Sequence, residues 1–259
     1  MILHEFDDKK NAVIMPQMIK SPVPDFPSTS IACFSGELFN KVITALPHKP
    51  IAETGCANGR KPIYEVVYEN KRFSFFMAAV GEPGCVGEYE EIIVMGSRRL
   101  ILFGNCGVLD KRIEDCGIII PNAAIRDEGC SYHYAPPSDM IKVNKKYIPE
   151  FKQVLSEHGY GYTEGVTWTT DAVYRETADR IKRRKEQGAV CVEMECAGMQ
   201  ALCDFRGVEF FQFFYAGDNL DHTEWQPRSL SGSVRIDDKV RIALLAFELG
   251  ARIIKNLEL

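Results

Sequence analysis

Apolar residues in this chain come in short runs separated by glycine, proline and small polar clusters. Residues 30–34, 99–103, 116–125, 165–169, 189–192 and 209–216 read as strands, each a brief apolar or alternating stretch closed by turn formers. Residues 64–68 and 73–80 flank Glu69-Asn70-Lys71-Arg72, a hairpin signal. Helical spacing predicts helices over residues 37–46, 88–97, 144–158, 175–187, 196–205 and 236–254. The last of these sets Val240, Leu244, Phe247, Ala251 and Ile254 along one face. Strands that alternate with helices argue for an α/β domain with a largely parallel sheet. Residues 1–30, with four prolines between positions 11 and 30, read as an extended lead-in to a single domain over residues 31–259.

The 259 residues suffice for one sizeable core, and 46% hydrophobic with 26% charged residues is a soluble globular composition. A formal charge of -5 gives no electrostatic argument for nucleic acid or an anionic membrane as partner. The one basic run, Lys182-Arg183-Arg184-Lys185, reads as a solvated helical face. No stretch has the length or apolarity to span a bilayer, and the polar first ten residues lack the core of a secretion signal. Nine cysteines, an odd number with no Cys-x-x-Cys spacing, point to reduced thiols in a cytoplasmic protein and to no zinc site.

The densest chemistry lies in Gly188-Ala189-Val190-Cys191-Val192-Glu193-Met194-Glu195, where a buried strand runs into two carboxylates. Ligands of α/β sheets sit beyond the C-terminal ends of strands, and residues two apart on an extended segment share a face. Glu193 and Glu195 therefore face one polyol or cation, unless Glu195 is simply a first-turn acid favoured by the helix dipole. Glycines punctuate other strand ends at Ser35-Gly36, Gly81-Glu82-Pro83-Gly84 and Gly104-Asn105-Cys106-Gly107. Ala216-Gly217-Asp218 places a further carboxylate past an apolar strand.

Together with Gly165-Val166-Thr167-Trp168-Thr169-Thr170-Asp171-Ala172-Val173-Tyr174-Arg175, these blocks resemble the nucleoside phosphorylase family. That family comprises purine nucleoside and uridine phosphorylases, with methylthioadenosine/adenosylhomocysteine nucleosidases as relatives. The resemblance covers residue 31 to the C-terminus. It implies a three-layer α/β/α domain around a mixed, largely parallel twisted sheet. It also implies a homo-oligomer built from dimers or a hexamer of three dimers, and phosphate as co-substrate without metal or organic cofactor. Carried over by position, Glu195 resembles the acceptor of the ribose hydroxyls, Met194 lies under the sugar, and Glu193 supports the site. Asp218 resembles the acid that protonates a departing purine at N7, with strand-end turn aspartate as the alternative. Trp168 falls at the aromatic position that packs on the base, or else in the core. Gly36 and Asn105 fall in the phosphate-binding loops, and Arg228 is placed to orient Asp218.

The departures concern phosphate. Leu102 occupies the position where the phosphorylases carry an arginine, and Asn40 or Lys41 stands where another is expected. Arginine binds a phosphate dianion through a two-pronged fork, so its loss bears on the reaction. Arg60, at the position of an arginine that crosses the dimer interface, is the natural substitute, followed by Lys41 and Arg99. The expected activity is phosphorolysis of a purine nucleoside to free base and ribose 1-phosphate. Arg175 and Arg180 leave uridine open as substrate, and Leu102 leaves open a hydrolytic nucleosidase. A non-catalytic nucleoside-binding protein is the remaining alternative.

Overall fold

The computed structural model describes residues 2–222 and 224–258. Among them the strands are β1 (Thr29–Cys33), β2 (His48–Cys56), β3 (Gly59–Tyr68), β4 (Lys71–Met77), β5 (Arg99–Val108), β6 (Ile118–Asp127), β7 (Met140–Lys142), β8 (Tyr162–Thr170), β9 (Ala189–Glu193) and β10 (Glu209–Asn219). The helices are α1 (Gly36–Ala45), α2 (Glu82–Met95), α3 (Ile148–Glu157), α4 (Ala178–Glu186), α5 (Cys196–Arg206) and α6 (Ile236–Leu257). None of the described helices is long and apolar enough to cross a membrane.

All ten strands belong to one mixed sheet. Its centre is parallel: β1 pairs with β4 and β5, β5 with β10, and β8 with β6 and β9. The hairpin β2–β3 extends it antiparallel to β4, while β10–β6 and β5–β9 close the other end with short antiparallel contacts. Strands β5, β10, β6, β8 and β9 thus form a closed ring of pairings, with the short β7 added on β6.

Two apolar faces explain the layers. On one, α1, α3 and α6 cover Ile31, Phe75, Phe103 and Phe213. On the other, α2 and α5 cover Ala32, Phe76 and Leu102. The amphipathic C-terminal helix expected from the sequence is α6, with Ala246, Phe247 and Leu249 fully buried.

The differences from the sequence reading have local causes. Strand β2 leaves no signal in the sequence, because His48-Lys49-Pro50 are exposed and the strand carries no apolar alternation. Helix α2 starts six residues early, since Pro83 is tolerated in a first turn where no N–H is needed. Strand β5 runs straight through the glycines at 104 and 107, because pairing with β10 continues to Val108. The lead-in contains two 3-10 turns and docks on α2, where Val23 N–H donates to the Met95 carbonyl at 3.0 Å.

Candidate active site

One edge of β5 is shared by two strands. β1 pairs with it as far as Cys33 opposite Phe103, and β9 joins only at Val192 opposite Gly107. Residues 104–106 of β5 therefore have no strand beside them on that edge, and a cleft of ≈1530 Å³ opens there. Breaks of this kind are where α/β sheets receive ligands. Phe34 from the end of β1, Asn105 to Gly107 from β5, Glu193 to Glu195 from β9 and Asp218 from β10 all line it. Glu193, Met194, Glu195, Asn105 and Asp218, expected from separate stretches of sequence, are brought together in one cavity.

Glu193 is fixed from four sides. Its Oε1 accepts from the Thr169 hydroxyl at 2.6 Å and from Thr167 at 3.2 Å; its Oε2 accepts the N–H groups of Glu195 and Cys196 at 2.8 and 2.7 Å. Burial pushes its carboxyl up, while these donors pull it down. It thereby caps the start of α5 and sets the backbone on which Glu195 stands. The Glu195 Oε1 accepts the Gly81 N–H at 2.6 Å. Gly81 has φ +88°, a conformation that side chains resist. Burial, and then the neighbouring Glu193, push the Glu195 carboxyl from 4.5 up to about 8.

Asp218 owes its direction to a β-bulge. Between Ala216 and Asp218 the register of β10 against β5 slips by one, so that Asp218 rather than Gly217 stands opposite Gly107. Its Oδ2 accepts the Trp225 indole N–H at 2.7 Å. Burial raises its carboxyl, and Trp225 and then the charge of Arg228 oppose that rise. Arg228 itself donates to the Ile113 carbonyl at 2.9 Å.

Trp168 is a correction. Its side chain is fully buried among Leu109, Ile125, Ala189 and Val192, and its indole N–H donates to Asp127 at 2.9 Å. It supports the sheet beneath Val192 and offers no face to the cleft. The aromatic surface that does line the cleft comes from Phe34, Tyr174 and Trp225, beside aliphatic side chains such as Val80, Val173, Ile181 and Leu220. Glu176 joins them, its carboxyl pushed up to about 7 by burial and then by Asp218. Trp225 carries no periodic signal in the sequence; its position seven residues after Asp218, across a turn, is the only hint.

None of the arginines and lysines named as possible phosphate ligands lines this chain's own cleft. Arg99 lies at the start of β5 in an ion pair with Glu209 at 2.7 Å, six residues and roughly 20 Å of strand from Asn105. Arg60 is exposed on the β2–β3 hairpin and paired with Glu53. Lys41 and Arg175 are exposed and outside the lining of the cleft. Arg180 pairs with Asp127 at 3.0 Å. Gly36 opens α1 two residues beyond Phe34, facing the Met77 sulfur, and also lies outside the lining. Leu102 is fully buried with Ala32 and Phe76, a setting that would leave a guanidinium desolvated. Among the described residues no arginine lines the cleft; its cations are Lys111, Lys182 and Lys185. The basic run read as a solvated face thus has two members at the cleft, while Arg184 binds Asp127 at 2.9 Å.

Residues 31–247 match the family described as the phosphorylase superfamily. A purine nucleoside phosphorylase DeoD-type of Bacillus cereus is 25% identical over 236 residues, covering 84% of this chain and 97% of that protein. The corresponding protein of Bacillus thuringiensis (strain Al Hakam) matches to the same extent, at 25% identity. The crystal structure of uridine phosphorylase from Vibrio fischeri superposes with a TM-score of 0.73 at 18% identity, over 88% of this chain and 97% of that one. That of purine nucleoside phosphorylase from Toxoplasma gondii gives 0.73 at 16% identity, over 87% and 90%.

Proposed function

The chain belongs to the phosphorylase superfamily, and from that premise we propose that it cleaves the N-glycosidic bond of a purine nucleoside with phosphate, giving free base and ribose 1-phosphate. The observation that carries this reading is the meeting of Glu195 and Asp218 in one cleft at the break beside β5. In this reading Glu195 accepts hydrogen bonds from the ribose hydroxyls, and in its ionised form its charge favours the positive charge that grows on the sugar as the bond breaks. Asp218 gives its proton to N7 of the base while the electrons of the C1′–N9 bond pass onto the purine. A phosphate oxygen then bonds to C1′. Both carboxyls are buried, and burial keeps Asp218 protonated to higher pH than in water. Holding sugar, base and anion in line is the main lever for such a displacement, and the proposed reaction draws on no metal or organic cofactor. The purine choice rests on Asp218, since a uracil leaving group is assisted at its carbonyl oxygens instead.

A second reading has its own support. With no arginine among the described lining residues and Leu102 sealed in the core, water in place of phosphate is the alternative attacking group. Incubating inosine, guanosine, adenosine and uridine with and without phosphate separates the two. Release of base only with phosphate, accompanied by ribose 1-phosphate, is the expected result. Equal release of base and free ribose without phosphate would establish hydrolysis, and a clear preference for uridine would overturn the purine assignment.

We also propose a homo-oligomer with the dimer as its unit, in which Arg60 on its exposed hairpin reaches a neighbour's cleft and supplies the guanidinium that the described lining of this chain's own cleft lacks. Sedimentation at micromolar concentration is expected to show dimers or larger species. An active monomer under those conditions contradicts this.

A further inference from the structure

We propose that Trp225 positions Asp218 for proton transfer and offers its aromatic face to the departing base, an assignment that rests on the nucleoside-cleaving reading of the cleft. The residue is held where both roles are available. Asn219 and Gln226 bridge the ends of the loop with backbone hydrogen bonds of 2.9 and 3.2 Å, and the Asn219 side chain donates to Gln226 Oε1 at 2.9 Å. Trp225 immediately precedes this bridge, and its ring, 59% exposed, lines the cleft while its N–H reaches Asp218 Oδ2 at 2.7 Å.

The hydrogen bond has a direction that matters. An indole N–H can only donate, so Oδ2 accepts; a carbonyl oxygen accepts better than an acid hydroxyl, which favours the proton of a neutral Asp218 on Oδ1. Oδ1 faces the side-chain-free position of Gly107, where a Cβ would lie only 3.1 Å away. Gly107 also lines the cleft. Trp225 thereby selects the oxygen that carries the transferable proton. When the O–H bond breaks and N7–H forms, the pair left on Asp218 turns the Trp225 contact into a charge-assisted bond. The contact is stronger in the transition state than before it, which is the condition for accelerating the step.

Besides Trp225, the backbone N–H of Asp218 itself donates to this carboxyl, and three side chains act on it from nearby. Arg228, from the segment after the bridge, favours its ionised form; Glu176, from the turn after β8, carries like charge; and Cys106 of β5 is a neutral buried thiol. None of them donates a hydrogen bond to Oδ2. The aromatic role rests on the place of the ring in the cleft lining next to Asp218, whereas Phe34 and Tyr174, the other aromatic lining residues, make no hydrogen bond to that carboxyl.

The test compares Trp225→Phe, which keeps a ring and loses the donor, with Trp225→Ala, which loses both. The loop position is exposed, so both variants are expected to fold, as far-UV circular dichroism checks. For inosine, Trp225→Phe should lower kcat about tenfold, the scale of a lost hydrogen bond to a charged group, with little change in KM. Removing a donor to the carboxylate raises the Asp218 pKa, so the alkaline limb of its pH profile should move to higher pH. A nucleoside already alkylated at N7 needs no proton and should be spared. Trp225→Ala should in addition raise KM about tenfold, the scale of one base–aromatic stack. Hypoxanthine should quench the indole fluorescence of the wild type but not that of Trp225→Phe, in which only Trp168 emits.

Wild-type kcat and pH profile in Trp225→Phe, or quenching that persists in it, overturns the assignment while leaving nucleoside cleavage intact. A wild type that turns over no nucleoside overturns the cleavage reading instead. The fluorescence titration then still decides whether Trp225 meets the base, and no quenching in the wild type overturns that too.

Discussion

Asp218→Asn is expected to slow cleavage of purine nucleosides by roughly 10²–10⁴-fold, the usual scale for removal of a general acid. The amide has the shape of the acid and can still accept the Trp225 N–H, so the loop bridged by Asn219 and Gln226 should keep its place. What is lost is the proton on the oxygen beside Gly107. Nucleosides whose base is already a good leaving group should lose far less. A turn aspartate would behave otherwise, with losses that follow thermal stability and strike all substrates alike. Steady-state kinetics on inosine, uridine and an N7-alkylated nucleoside, beside a melting curve, tell these apart. Uniform losses across the three would remove Asp218 from the chemistry.

Glu195→Gln is expected to cost on the order of 10²-fold or more in turnover, as removal of a preorganised charge does elsewhere. The amide oxygen can still accept the Gly81 N–H, so the fold should survive. Its pH behaviour offers a second readout. The Glu195 carboxyl stands at about 8 in the folded chain against 4.5 as the reference value, so the folded state binds more protons between those limits. The stability tied to this group is therefore complete below about pH 4.5 and is lost as pH rises toward 8. Melting temperatures measured from pH 5 to 8 should fall more for the wild type than for Glu195→Gln. Near-normal kinetics in the folded variant would remove Glu195 from the ribose site, and parallel melting profiles would show that its proton is not held by burial.

How much of this was legible in the residues depended on range. The strands β1, β9 and β10 and the helices α1, α5 and α6 announce themselves through local apolar spacing, because burying one face of an element imposes its period on the sequence. Glu193, Met194, Glu195, Asn105 and Asp218 were also readable, since each sits at the end of an apolar run where a strand meets the cleft. Long-range facts left no such imprint. Whether Trp168 faces a ligand or the core depends on Asp127, Leu109 and Ile125, residues about 40 or more positions away. Arg99 looked available until β10 brought Glu209 beside it, and the basic run of α4 looked fully solvated until β9 set Lys182 and Lys185 at the cleft.

The sequence by itself determined the α/β alternation, the elements that end in carboxylates and the absence of an arginine at position 102, because those are properties of short segments. Tertiary structure alone decided where β5 loses its neighbour, what direction the bulge at Gly217 gives Asp218, and that Trp225 rather than Trp168 reaches the cleft. Those depend on strand register and on contacts between distant segments, and a register is fixed by the whole set of partners in the sheet rather than by any one strand.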